Sequence, residues 1–119
     1  MLDWLLGVDD GQMLYNFRKA AGLDTCGAAP MTGWDEESCK LKGHTTGHYL
    51  SGLALAYAAT GDTRFREKIG EMVTGLKECQ DAFQGQKGIH PGFLSAYDEE
   101  QFDLLEQYTK YPEIWAPYY

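Results

Sequence analysis

Apolar positions along the chain fall into helical stretches separated by glycine and proline punctuation. After Asp9 and Asp10, the residues Met13, Leu14, Phe17, Ala20 and Ala21 recur three and four apart, and Arg18 and Lys19 precede a stop at Gly22. Acids at the start and bases at the end suit the helix dipole. Residues 24–41 read as a long irregular connection containing Pro30 and Trp34. Connections of that length without elements of their own are uncommon and often functional. A second helix is predicted over residues 45–60. Leu50, Leu53, Ala54, Tyr57 and Ala58 form one face, but Leu55, Ala56 and Ala59 make the opposite side apolar too, which predicts a helix enclosed by neighbours. Gly61 supplies a left-handed stop, and Asp62 caps a third helix from Thr63 to about Phe83. Phe65, Ile69, Met72, Val73, Leu76, Cys79 and Phe83 form its apolar stripe, while Arg64, Arg66, Glu67, Lys68, Glu71, Lys77 and Glu78 supply a polar face. The tight connection predicts an antiparallel pair, the second helix inner and the third outer. Residues 92–97 are expected to be briefly extended. A fourth helix is expected from Glu99 to Tyr108, with Asp98 and Gln101 at capping-box spacing and Glu99 and Glu100 as first-turn acids. The pattern as a whole predicts an all-α chain of antiparallel helical hairpins.

Length and charge narrow the possibilities. The 119 residues carry 10 Lys and Arg against 18 Asp and Glu, a formal charge of −8. That is room for one domain or part of a larger one, with about two thirds of its surface buried on folding. The acidic balance offers no basic stripe to displace counterions from a phosphate backbone, so no nucleic-acid partner is expected. The longest weakly polar run, residues 49–59, is too short to span a bilayer, and no membrane partner is expected. Met1, Leu2 and Asp3 lack the basic start of a secretory signal. Cys26, Cys39 and Cys79 are odd in number and lack C-x-x-C spacing, so at least one thiol is free or pairs outside the chain. This fits a reducing, cytoplasmic compartment better than an oxidising one.

The most informative chemistry lies in Gly43, His44, Thr45, Thr46, Gly47, His48, Tyr49, Leu50 and Ser51. Two histidines four apart at a helix start project to the same side. Three readings stand side by side: a metal pair with Cys39 as a third ligand, structural histidines satisfied near the helix start, and a polar pocket lining at a helix N-terminus. Trp34, between Gly33 and Asp35, suits stacking on a sugar face and equally suits a loop anchor beside a solvated acidic run. Asp35, Glu36 and Glu37 contain carboxylates of the kind glycosidases use, but adjacent side chains diverge along the chain. Ser51 and Ser95 lack a nucleophile elbow, and no phosphate loop or dinucleotide fingerprint is present.

Several blocks in order carry a family resemblance. They are residues 14–23 (LYNFRKAAGL), Gly33 with Trp34, residues 43–51 (GHTTGHYLS), residues 54–62 (ALAYAATGD), residues 78–80 (ECQ), residues 92–96 (GFLSA) and residues 115–119 (WAPYY). Together the chain resembles the N-terminal part of the β-L-arabinofuranosidase family once catalogued as DUF1680, glycoside hydrolase families 127 and 146. The resemblance implies a partial (α/α)6 barrel and a retaining glycosidase acting on β-linked L-arabinofuranosides, so carbohydrate is the expected partner. It also implies, for the complete enzyme, a zinc-bound cysteine nucleophile with further Cys and Glu ligands in the later part of the barrel. Cys26, Cys39 and Cys79 do not match those motifs. No catalytic or metal-binding residue and no cofactor are therefore expected in this chain, which reads as a fragment of the catalytic domain, inactive alone. The runner-up reading is a non-catalytic helical carbohydrate-binding or interaction module. What carries over is pocket lining: Trp34, His44, His48, Phe93, Ser95 and Tyr118 are the expected sugar contacts. Exposed flanks of the second helix would favour homo-oligomers.

Overall fold

The structure, a computed structural model, describes residues 2–39 and 42–107. Five α-helices appear among them: α1 (Leu2–Gly7), α2 (Asp10–Ala21), α3 (His44–Thr60), α4 (Thr63–Gln84) and α5 (Glu100–Gln107). The described residues contain no strand, so the all-α expectation holds. The helix ends follow local chemistry. The Asp9 carboxylate accepts the Gly11 amide at 2.9 Å and starts α2, and Gly22, at φ 76°, turns its own amide back onto the carbonyls of Arg18 and Lys19. Asp62 starts α4 by accepting from the Arg64 amide at 3.0 Å. The Arg64 guanidinium bonds the same carboxylate and holds it below the usual carboxylate range.

The long helix α4 packs against both α2 and α3. One core gathers Leu14, Tyr49, Leu53, Phe65 and Met72. A second gathers Ala21, Cys79 and Phe83 with Phe17, Ile89 and Phe93 around them. Gly75 is buried where α2 crosses α4; a methyl group there would run into the Leu14 side chain, so the glycine sets how closely the two helices approach. The Tyr49 hydroxyl donates to the Leu5 carbonyl at 2.8 Å and ties α1 to α3. Burial, with the Asp10 and Glu71 carboxylates adding to it, pushes this phenol up to about 12.

Four expectations need adjustment. The helix α3 is buried on one side only, through its own Thr46, Tyr49, Leu53 and Ala56, whereas Ala54, Ala58 and Ala59 are exposed and Leu55 is 71 % exposed. Its all-round apolar composition exceeds what the described neighbours cover. Val73, assigned to the buried stripe of α4, is more than half exposed because it lies on the flank of the side that Phe65, Met72, Cys79 and Phe83 bury. Residues 92–97 form no strand: Gly92 lies in a turn, residues 93–95 are irregular and residues 96–97 bend, with no partner strand among the described residues. The last helix begins at Glu100; Glu99 precedes it, its carbonyl accepting from the Phe102 and Asp103 amides while its carboxyl turns back to His90. The expected end of that helix, Tyr108, lies outside the described residues.

Candidate functional site: a cavity at the start of α3

The amino end of α3 has no cap of its own. Gly43 precedes it at φ 107° and offers no side chain. The cap comes from upstream. Gly33, Trp34 and Asp35 make a short 3-10 turn, and Asp35 is 1 % exposed. Its carboxylate accepts from the Gly43 amide, from the Thr45 hydroxyl and, at 3.3 Å, from the Thr45 amide. His44 Nε2 stands 3.5 Å from the same carboxylate. A negative group here meets the unpaired N–H groups and the positive end of the helix dipole. The Asp35 carbonyl accepts from Asn16 Nδ2 at 2.6 Å, which fastens the turn to α2. A further tie runs from Lys19 to Glu37 at 3.0 Å, and this hydrogen bond and charge hold the Lys19 ammonium above its usual value.

With Asp35 locked inward, the neighbouring Trp34 is turned out and is 82 % exposed. Its ring lies 6.2 Å from that of His44, tilted by 58°. The facing wall is the 94–97 segment. Ser95 and Ala96 are buried, and Ser95 Oγ accepts from the Tyr97 amide at 3.2 Å. The Tyr97 ring stacks on Phe102 at 5.5 Å. Ala96 approaches Gly43 so closely that a Cβ on Gly43 would sit 2.8 Å from the Ala96 methyl. Between these walls lies a cavity of about 1070 Å³, lined by Phe17, Trp34, Glu36, Cys39, Lys42, His44, Leu94, Ser95, Tyr97 and Phe102, among others.

Three of the expected residues, Trp34, His44 and Ser95, therefore border one cavity. Phe93 does not: its ring packs edge-on against Phe83 at 4.9 Å and Phe102 at 5.8 Å in the second core, and Leu94 takes the lining position. His48 is exposed one turn further along α3 and is not among the lining residues. Tyr118 lies outside the described residues. Tyr97, Phe102 and Lys42 are additions that no local pattern announces, since they reach the cavity only where the 94–97 segment meets residues 33–39 and 42–44, and of the three adjacent carboxylates read as glycosidase-like it is Glu36 that lines the cavity. The arrangement offers flat aromatic faces together with carboxylate, ammonium, imidazole and hydroxyl groups. That mixture suits a ligand with an apolar face and a hydroxylated rim.

The family model for the beta-L-arabinofuranosidase GH127 catalytic domain matches residues 1–119. The chain belongs to the GH127 family. No curated protein matches it. In this GH127 chain the cysteines sit in three unlike settings: Cys26 is exposed, Cys39 is half-buried at the cavity, and Cys79 is buried, which pushes its thiol up. Among the described residues no group of three or more His, Cys, Asp or Glu is placed to hold a metal ion. His44, His48 and Cys39 in particular do not come together as such a group. No step is assigned to a metal here.

Proposed function

We propose that this GH127 chain supplies part of a saccharide cleft for β-linked L-arabinofuranosides and does not cleave them by itself. The observation that carries this reading is the convergence on one cavity of Trp34 and His44 from one side and of Ser95, Tyr97 and Phe102 from the other. The indole suits the apolar face of a furanose, and the imidazole and hydroxyl suit its oxygens. The absence of the family's cysteine motifs from the sequence supports the lack of cleavage. Covering an exposed indole with a sugar face contributes about 1–2 kcal/mol. Calorimetry with arabinan oligosaccharides is expected to register binding that weakens about tenfold in Trp34→Ala and in His44→Ala, with melting temperatures little changed. Equal binding by the parent and both variants overturns the assignment. Arabinose released by the purified chain would refute the claim of inactivity.

A second reading, a helical interaction module, draws on the uncovered face of α3, where Leu55 is flanked by Ala54, Ala58 and Ala59. Contiguous apolar surface of this kind promotes association. Light scattering after size exclusion is expected to show dimers or larger species that Leu55→Lys shifts to monomer. A parent chain that is monomeric at all concentrations removes this reading.

A further inference from the structure

The segment 90–99 is a loop whose two ends meet. The His90 amide, at 3.1 Å, and the His90 ring Nδ1 both bond Oε1 of Glu99. The Glu99 side chain is only 10 % exposed, whereas the imidazole is 78 % exposed. Between these ends lie Leu94, Ser95, Ala96 and Tyr97, one wall of the cavity. Other polar ties from this loop to α4 are uncharged: Gln80 donates to the Gly92 carbonyl at 2.9 Å and Gln84 to the His90 carbonyl at 3.4 Å, while the Phe93 ring packs on Phe83. From α5, Asp103 and Glu106 face the same hollow as His90 and Glu99, a space of about 330 Å³ that shares Leu94 and Phe102 with the main cavity.

We propose that His90 and Glu99 form a proton-operated latch on the cavity, which holds the 94–97 wall in place while His90 carries its proton and lets it loosen when the proton leaves. The saccharide part rests on the function proposed above; the loop part does not. A neutral imidazole still donates one hydrogen bond. Yet the buried Glu99 then shares one hollow with Asp103 and Glu106 while the cation that bonded it is gone, and like charges gathered around one hollow repel. Hydrogen bonding to Glu99, aided by its charge and those of Asp103 and Glu106, holds His90 above its ordinary 6.5. Burial opposes the charge on Glu99, but the bonds from the His90 amide and ring outweigh it and hold the carboxyl below its ordinary 4.5. The signs follow. The His90 contribution is complete below 6.5 and fades as pH rises through its raised value. The Glu99 contribution is complete above 4.5 and fades as pH falls through its lowered value. The latch is firm between those limits, opening on the alkaline side as His90 loses its proton and on the acid side as Glu99 gains one.

The test uses the full chain and the variant His90→Gln, which alters a mostly exposed side chain. Amide NMR spectra from about pH 5 to about pH 9 bracket the histidine range. In the parent chain the amides of Ser95, Ala96 and Tyr97 are expected to shift together with the His90 ring, and in His90→Gln to stay still. Affinity for arabinan oligosaccharide is expected to fall about three- to fivefold across the same range in the parent and to be flat in the variant. Loop amides that ignore the titration of His90, or a pH dependence that survives in His90→Gln, overturn the latch. Loop amides that follow His90 in a chain that binds no oligosaccharide uphold the latch and overturn the saccharide reading instead.

Discussion

Asp35→Ala is expected to lower the stability of the chain by about 2–4 kcal/mol, the larger share coming from donors left without an acceptor. The carboxylate receives the Gly43 amide, the Thr45 amide and the Thr45 hydroxyl from a position that is 1 % exposed. Loss of an N-cap costs about 0.5–2 kcal/mol, and each buried donor left unpaired costs about 1–3 kcal/mol. The costs do not add fully, because water from the cavity can reach some of these groups once the side chain is gone. Asp35→Asn keeps the shape and one acceptor oxygen but turns an NH2 group toward donors, so a smaller loss is expected. Urea titration gives the check: a lower midpoint at constant slope identifies lost stability with the folded state otherwise intact. A midpoint equal to that of the parent would show that Asp35 does not hold the start of α3. Hydrogen exchange adds a local readout, since the amides of Gly43 and Thr45 should lose protection before those around Leu53 and Ala56.

Gly43→Ala is the second large effect, again about 2–4 kcal/mol. The backbone there sits at φ 107°, where any side chain is strained by about 1–3 kcal/mol. The added methyl would also lie 2.8 Å from the Ala96 Cβ and 3.3 Å from the Phe17 ring. Overpacking of this kind costs about 1–3 kcal/mol. The two parts separate in a double-mutant cycle with Ala96→Gly. Removing the Ala96 methyl is expected to recover the clash but not the backbone strain, so the pair should be more stable than the sum of the single changes predicts. Simple additivity in thermal melts would place the whole cost in the backbone.

The helices that were legible in the sequence are those bracketed by their own signals. Asp9 and Gly22 mark α2, and Gly61 and Asp62 mark the α3–α4 turn, because each contact spans only a few residues. The six residues of α1 are too few to display a period. The cap on α3 was illegible for a different reason: its donor and acceptor groups are eight and ten residues apart, across a loop whose path no local rule gives. The same limit applies to Glu99, which reads as a first-turn acid until His90 is brought against it. At the cavity, Trp34 and His44 were identifiable as residue types suited to a pocket, whereas Ser95 came only with the family resemblance. Phe93 and Leu94 exchanged places because a loop without helix or strand periodicity does not say which of two neighbours points inward. The enclosure of α3 was overstated, since composition records how much apolar surface a helix has and not how much of it is covered.

A helix that borrows its cap has no self-sufficient beginning. The first turn of α3 depends on a carboxylate delivered by a separate excursion of the backbone, whereas its far end is closed by the neighbouring Gly61, whose amide returns 2.7 Å to the Tyr57 carbonyl. Winding therefore favours the Tyr57 end and reaches His44 last, and thermal fraying runs the opposite way. The imidazole beside the cavity stands on the last ground to set and the first to give.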